Sequence, residues 1–406
     1  MSIAAPLVVL LLAVAPFRAA ADDKLWRTSW DAALYGYAGH MALRADSVLN
    51  PENRIARLPQ RSDTAELRFN LRADSETVRL TARGLVAVSE SRNAFGGMSQ
   101  KEGRLGQWQA RVRTGEAWSI AAGRDVLNWG PAQFRSPSSP FYFDNGRSDP
   151  MRELTGMDMV QLSWTPDMGH GASLTHIMRA GDEQAQSTVW RDSWLLKLDR
   201  RGDDWAYGLA AAHAPHLPTF FGAHGQWTPD DTTLLYGEYA FAAVHDVLRS
   251  PEDTALPFSV QPVAPRRGTV LLGMAYTFED GRTLSAEYLH DGHGYTPDQT
   301  AAYFARAASS PVLAGQALGL MPRLLGRDYL HLVWQSNLME SDGYWRLMAT
   351  HNLTDGSGSL GGYAEHHLDT QLSAFVLVIC NAGGARGEAA ALYTRSLTLG
   401  LKLALP

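Results

Sequence analysis

The chain has 406 residues, a formal net charge of -6 at neutral pH and a single cysteine, Cys380. Hydrophobic residues make up 45% and charged residues 19%, a composition that excludes a disordered chain. One cysteine excludes a framework of disulfides within the chain. The acidic balance argues against nucleic acid as a partner, because proteins that bind it usually carry a basic face.

The first 21 residues predict a cleaved secretory signal. They read MSIAAPLVVLLLAVAPFRAAA, an apolar core followed by small residues at the expected cleavage site. The mature chain would then begin at Asp22. Beyond this segment no apolar run approaches the length of a membrane-spanning helix, so helical membrane proteins are excluded.

The remaining sequence, 22–406, is dominated by alternation with a period of two residues. In the last segment, Leu397, Leu399 and Leu401 share one face, whereas Thr398 and Lys402 share the other. Because successive side chains of a strand point to opposite faces, such a segment has one apolar face and one polar face. Eighteen segments of this kind are predicted, near 30–44, 64–74, 77–89, 107–114, 117–127, 157–165, 170–180, 188–199, 204–213, 219–228, 232–243, 268–278, 282–290, 328–338, 344–352, 361–369, 372–380 and 391–405.

The connections between these segments alternate between short turns and long loops. The longest are predicted at 45–63, 90–106, 128–156, 244–267 and 291–327. This layout is typical of an outer-membrane barrel, whose periplasmic turns are short and whose external loops are long. We therefore predict an all-β protein with a single transmembrane antiparallel β-barrel of about 18 strands, with 16 as the alternative count. A soluble β-propeller or stacked sandwich is the competing interpretation.

Cationic residues recur on the polar faces of the predicted strands. A dry soluble interior would not accommodate so many charges, whereas a water-filled lumen would. Guanidinium groups bind carboxylate and phosphate through two parallel hydrogen bonds, which favours an anionic solute. The alternative is codon bias, with the lumen charges neutralised by Glu66, Asp125, Asp199, Glu238 and Glu287. The predicted lumen or solute-path residues are Arg68, Arg72, Arg79, Arg83, Arg111, Arg113, Lys197, Arg395 and Lys402.

Two long loops are candidates for occluding the lumen. The 128–156 loop could fold inward and narrow the pore, or it could be an ordinary external loop. Its candidate constriction residues are Arg135, Asp144, Arg147, Asp149, Arg152 and Glu153. The 291–327 loop is predicted to be helical on both sides of Pro311, as a lid or lumen plug or as an external cap.

The segment GRDVLNWGPAQFRSPSSPFYFDNGRSDPMRELTGMDMVQLSW, together with EYLHDGHGY and the closing LTLGLKLAL, resembles Gram-negative porin-type barrels. It is more loosely similar to the barrels of alginate export and capsule assembly. The resemblance implies the outer membrane as location, with outer-membrane lipid and the barrel-assembly machinery as partners. One departure is the terminus, because such barrels usually end on an aromatic residue and this chain ends on Leu405 and Pro406.

These observations predict an outer-membrane channel that passes or exports a polar, carbohydrate-like solute or polysaccharide. The arginine content favours an anionic solute, and a homo-oligomer is left open. The alternative is a surface-polysaccharide, or capsule, assembly and anchoring barrel with a plugged lumen. A third hypothesis, an outer-membrane lipid hydrolase, depends on His351, Asn352, Ser357 and Ser359. Weak metal-ligand candidates are His290, Asp291, His293, His366, His367 and Asp369, but their spacing matches no known zinc site. We predict no enzyme activity, no metal and no cofactor.

Overall fold

A computed structural model of the chain describes residues 26–180, 190–249, 259–321, 323–337 and 342–405. The predicted signal at 1–21 lies outside the described residues. Within them no helix is both long and apolar enough to cross a membrane.

Eighteen antiparallel strands form one sheet that closes on itself. Each strand pairs with its neighbours in the chain, and the last strand pairs with the first from Ala32↔Leu405 to Leu43↔Tyr393. The barrel strands are β1 (Arg27–Leu43), β2 (Arg61–Asp74), β3 (Val78–Asn93), β4 (Gly96–Arg113), β5 (Trp118–Asp125), β6 (Met157–Trp164), β7 (His170–Ala180), β8 (Ser193–Arg201), β9 (Trp205–Ala214), β10 (Leu217–Trp227), β11 (Thr233–Ala242), β14 (Arg267–Thr277), β15 (Thr283–Asp291), β16 (Asp328–Gln335), β17 (Gly343–Asn352), β18 (Gly358–His367), β19 (Leu372–Ala382) and β20 (Tyr393–Leu405). A separate hairpin of β12 (His245–Arg249) and β13 (Ser259–Val263) lies in the connection between β11 and β14.

All eighteen predicted segments correspond to barrel strands, which confirms the predicted all-β barrel and its strand count. The predicted long loop at 90–106 is wrong. There β3 and β4 continue past the apolar band and meet in a tight hairpin, paired as far as Asn93↔Gly96. Both faces of this extension are polar, so the alternation that marks a half-buried strand is absent from its sequence.

Side-chain alternation sorts the strands into an inner and an outer face. On β20, Leu399 and Leu401 are about half exposed on the outside, whereas Lys402 points inward and reaches Glu365 of β18. Strand β4 contains a β-bulge at Gly106. This residue has no partner in β3, where it lies opposite Arg83 and Gly84. Because one extra residue reverses the parity of a strand, Arg104 and Arg111 both face inward on either side of the bulge.

Two helices follow β15 at the end of the barrel that carries the long loops. They are α1 (Pro297–Ala307) and α2 (Pro311–Gly319), which confirms the prediction of helix on both sides of Pro311. Thr296 caps α1 with a capping box and Ser310 caps α2, so each helix begins at a polar N-cap followed directly by proline.

The two faces can be tested by cysteine labelling of Lys402→Cys and Leu401→Cys in a Cys380→Ser background. We expect a water-soluble thiol reagent to label the first variant and not the second, because only the inner face contacts water. Leu401→Arg should also destabilise the barrel by about 2–4 kcal/mol if the position lies near the bilayer midplane. Labelling of the Leu401 variant alone would mean that the faces are reversed.

Candidate functional site

The loop between β5 and β6, here called the inner loop (126–156), lies inside the barrel. Its middle contacts inward-facing side chains of β11, β15 and β17, on the side of the barrel away from β2 and β3. Its last residues return to β2 and β3. The inner loop therefore spans the lumen, and it is not packed on the outer rim.

Glu238 of β11 is the first attachment point of the inner loop. Its buried carboxylate accepts hydrogen bonds from the Ala132 amide at 3.0 Å, from the Ser136 hydroxyl at 2.7 Å, and from the Ser138 amide and hydroxyl at 3.1 and 2.7 Å. The loop approaches so closely that a Cβ at Gly130, whose φ is +88°, would lie 2.2 Å from the Glu238 Oε1 atom. A glycine is required at this position.

Glu287 of β15 is the second attachment point. Its carboxylate accepts hydrogen bonds from the amides of Gln133 and Phe134 at 2.6 and 2.8 Å, and from the Tyr236 hydroxyl at 2.7 Å. The Phe134 ring stacks on His331 with ring centroids 4.9 Å apart. Buried backbone N–H groups that lack a ladder partner are thus satisfied by two wall carboxylates.

Apolar packing fills the lumen beside β6, β7 and β8. Phe141 and Tyr142 of the inner loop join a buried cluster with Met159, Ile177 and Leu195, which are inward residues of β6, β7 and β8. The Tyr142 hydroxyl donates to the Thr155 carbonyl at 2.7 Å, and burial raises its pKa. This side of the lumen is a packed core.

The returning limb of the inner loop is held by arginines of the opposite wall. Glu153 accepts hydrogen bonds from Arg68 at 2.9 Å and from Arg83 at 2.7 Å. Arg68 also donates to the Met151 carbonyl at 2.8 Å and pairs with Glu66. Each of the three guanidinium nitrogens of Arg68 therefore donates to an acceptor within the protein, and its role is attachment of the loop.

The other charged residues predicted in the loop mostly stabilise its fold. Arg152 pairs with Asp144 at 2.6 Å, and Arg147 donates to the Ala132 carbonyl at 2.8 Å. Asp149 accepts from the Met151 amide at 3.0 Å, closing a turn. Arg135 lies 3.6 Å from Asp144, and burial holds the pKa of its guanidinium below the ordinary value.

A cavity of about 210 Å³ lies between the returning limb and the wall formed by β1–β4. Its lining carries charges of both signs, including Glu102 of β4 and Arg104, which pair at 3.3 Å. Arg104 was not among the predicted lumen residues, because it lies in the 90–106 segment, which was predicted to be a loop but belongs to β3, β4 and their turn. The residues lining the cavity include Tyr37, Thr64, Glu66, Arg68, Glu102, Arg104 and Glu153.

The wall below this cavity is rich in arginine toward the short-turn end of the barrel. Asp74 pairs with both Arg72 and Arg79, the latter at 2.6 Å. Arg79 and Arg111 stand directly opposite each other on β3 and β4. Within the described part of the chain, no carboxylate lies within 4 Å of the guanidinium groups of Arg111 or Arg113, so these two cations are the least neutralised of the wall.

Lys197 and Lys402 face the lumen, but each has a carboxylate neighbour. Lys197 pairs with Asp199 and lies 5.7 Å from the centre of the Trp129 ring, and Lys402 pairs with Glu365 at 3.0 Å. The prediction that Arg395 faces the lumen is wrong. It lies two residues before Leu397 on the exposed face of β20, so alternation places it on the outer wall.

Glu238 and Glu287 also differ from their predicted role. Both face the lumen, as expected for residues that neutralise lumen cations, but they bind the inner loop backbone. No pattern within β11 or β15 could show this, because the donors lie about a hundred residues or more away in the chain.

The long-loop end is covered by a cap in which α1 and α2 pack against two other loops. Tyr303 and Phe304 of α1 join Leu49, Leu325 and Ala391 in one buried cluster. Glu388 anchors this cap, accepting hydrogen bonds from the Leu325 amide at 2.8 Å and the Tyr329 hydroxyl at 2.6 Å. Burial raises the pKa of the Glu388 carboxyl.

The raised pKa of Glu388 makes the cap sensitive to pH. A raised carboxyl pKa contributes stability that is full below the ordinary glutamate value and is lost as the pH rises through the raised value. We expect the exchange protection factor of the Leu325 amide to fall as the pH rises above the ordinary glutamate pKa and through the raised pKa of Glu388. In Glu388→Gln this dependence should disappear, and an equal fall in both proteins would rule out this residue as the cause.

The positions of the described residues do not support the hydrolase hypothesis or the metal hypothesis. His351 faces outward and Ser359 inward on paired strands, and the Ser357 hydroxyl accepts from the Ala389 amide. His290 contacts Asp328 at 2.8 Å, and His293 contacts the Ala242 carbonyl at 2.9 Å. Among the described residues, no group of three or more histidine, cysteine, aspartate or glutamate side chains could hold a metal ion.

Comparison with solved structures identifies the fold. Neither a protein-family profile nor a curated protein matches the chain. It is similar to OccK11 (OpdR) of Pseudomonas aeruginosa, with 12% identity, 93% of this chain and 96% of that chain covered, and a TM-score of 0.56. A triple-mutant porin of Rhodopseudomonas blastica aligns with 10% identity, 93% and 100% coverage and a TM-score of 0.47. The chain therefore has the fold of a porin-type β-barrel, closed with 18 strands.

Proposed function

We propose that the protein is an outer-membrane channel for small polar solutes with a moderate preference for anions. One observation supports this most directly: the inner loop crosses the lumen beside a charged cavity on β1–β4, which we take as part of the solute passage. Charges of both signs line the upper part of this passage, and arginine predominates below it. Such an arrangement sorts solutes by size and charge without a catalytic step.

The mechanism is passive diffusion. A closed barrel satisfies the backbone hydrogen bonds of every strand within the membrane, and the polar lumen replaces part of the solute's hydration. The inner loop sets the width of the passage, because it is attached at Glu238 and Glu287 on one side and at Arg68 and Arg83 on the other. A carbohydrate-like solute would hydrogen-bond to this polar wall, and a carboxylated one would add a charge contact.

Planar-bilayer recording of the purified protein tests the proposal. We expect stable single-channel conductance and a reversal potential in a salt gradient that indicates moderate anion preference. A barrel that inserts but carries no current would contradict the channel function.

The second candidate is a surface-polysaccharide anchoring barrel with a plugged lumen. The cap favours it, because α1, α2 and two other loops cover the long-loop end, and Arg323 reaches the Phe143 ring of the inner loop at 5.5 Å. Shortening the cap by removing 297–319 separates the two candidates. A channel should conduct with and without the cap, whereas a plugged anchor should conduct only when the cap is removed.

A further inference from the structure

Three basic side chains form a row across the outer wall of the barrel, near its long-loop end. His40 of β1 stands directly opposite Arg61 of β2, and Arg61 stands directly opposite Arg92 of β3. These residues, named here the outer basic row, come from three successive strands without any register shift between them.

Alternation places the outer basic row on the outside of the barrel. His40 shares its face of β1 with Trp30 and Leu34, which are 48% and 44% exposed, whereas Tyr37 on the other face reaches Glu66 in the lumen. All three members of the row are exposed. They are therefore separate from the solute passage.

The two arginines of the row have few direct ion-pair contacts. Like charges directly opposite each other on a sheet are destabilising. In the described part of the chain no carboxylate lies within 4 Å of Arg61, and Arg92 has only Glu90 at 3.8 Å, with both side chains largely exposed. Asp63 and Glu90 form the next outer pair along the strands and also face each other. An anion between the two guanidinium groups would relieve their repulsion.

The position of the row identifies the kind of anion. Beyond the acidic pair, the outer face continues toward the short-turn end through Gly36, Ala65 and Val88, which are apolar or lack a side chain, and then through exposed or half-buried leucines. An outer apolar band of this kind faces the hydrocarbon of a membrane. The outer basic row lies just beyond that band, at the level of lipid headgroups.

We propose that the outer basic row binds the phosphate of a membrane lipid whose headgroup carries a net negative charge. This rests on the proposed membrane location, but not on conduction or on its selectivity. Two guanidinium forks on adjacent strands can each give two hydrogen bonds to phosphate oxygens, and the His40 ring offers a further N–H donor. The lipid chains then lie along the apolar band below.

The test uses the full-length protein in dodecyl maltoside micelles containing phosphatidic acid, with phosphatidylcholine as the neutral comparison lipid. Native mass spectrometry counts the lipids retained on the folded barrel. We expect Arg61→Gln/Arg92→Gln to weaken phosphatidic acid binding about tenfold or more, the effect of losing two charge-assisted contacts. The matched control, Arg111→Gln/Arg113→Gln, removes the same charge from the lumen and should bind lipid normally.

A second pair of variants separates lipid binding from a purely structural role. Asp63→Asn/Glu90→Gln removes the neighbouring negative charges, so binding of phosphatidic acid should become tighter. Weaker binding in this variant, equal losses in the two arginine pairs, or equal retention of phosphatidylcholine would each overturn the proposal. Full competition by millimolar inorganic phosphate would also overturn it, because the site would then recognise free phosphate instead of a headgroup. Conductance of Arg61→Gln/Arg92→Gln, measured in parallel, tests the channel function separately.

Discussion

Replacing Glu238 and Glu287 together by alanine is expected to release the middle of the inner loop and to raise single-channel conductance severalfold. The two carboxylates accept seven hydrogen bonds, of which four come from backbone amides between Ala132 and Ser138. A buried donor left without a partner costs about 1–3 kcal/mol. The loop backbone would therefore leave the wall and become hydrated, which widens the passage.

The matched control is Glu279→Ala, an exposed glutamate in a short turn far from the loop. It should leave conductance and the denaturant midpoint unchanged, whereas the double variant should lower the midpoint. If the double variant folds poorly, Glu153→Ala tests the same idea from the opposite wall, since Glu153 holds the returning limb through Arg68 and Arg83. Unchanged conductance in both folded variants would show that the loop does not limit the current.

Local alternation was sufficient to predict the barrel strands, because each must present an apolar side to lipid and a polar side to the lumen. It failed where this requirement ends. The extensions of β3 and β4 are polar on both faces, and the bulge at Gly106 reverses parity at a residue that carries no side chain. The outer position of Arg395, in contrast, could have been predicted from the sequence, because Arg395 lies on the same face of β20 as Leu397 and Leu399.

The site was only partly predictable for a different reason. Loop composition indicated a charged segment able to enter the lumen, but the partners of that segment lie on strands distant in the chain. Whether a lumen carboxylate neutralises an arginine or accepts backbone amides depends on this packing, which no single-strand pattern encodes. The same packing converts Arg68 and Arg83 from candidate solute contacts into attachments of the loop.

Selectivity should therefore depend most on the arginines that have no carboxylate partner. Replacing Arg111 and Arg113 by glutamine removes two positive charges from the lumen without breaking a close ion pair, since no carboxylate of the described residues lies within 4 Å of either guanidinium group. A low-dielectric wall focuses their field into the passage. We expect the anion-to-cation permeability ratio to fall by roughly a factor of two or more, seen as a shift of the reversal potential toward cation preference.

Replacing Arg83 would give a less clear result, because it would also free Glu153 and loosen the inner loop. The appropriate control for the Arg111 and Arg113 pair is Arg61→Gln/Arg92→Gln, which removes the same charge from the outer wall and should leave the reversal potential unchanged. An equal shift in both pairs would indicate a surface-charge effect outside the pore. No shift in the lumen pair would mean that ions pass along another part of the barrel, and the anion preference would then have to be abandoned.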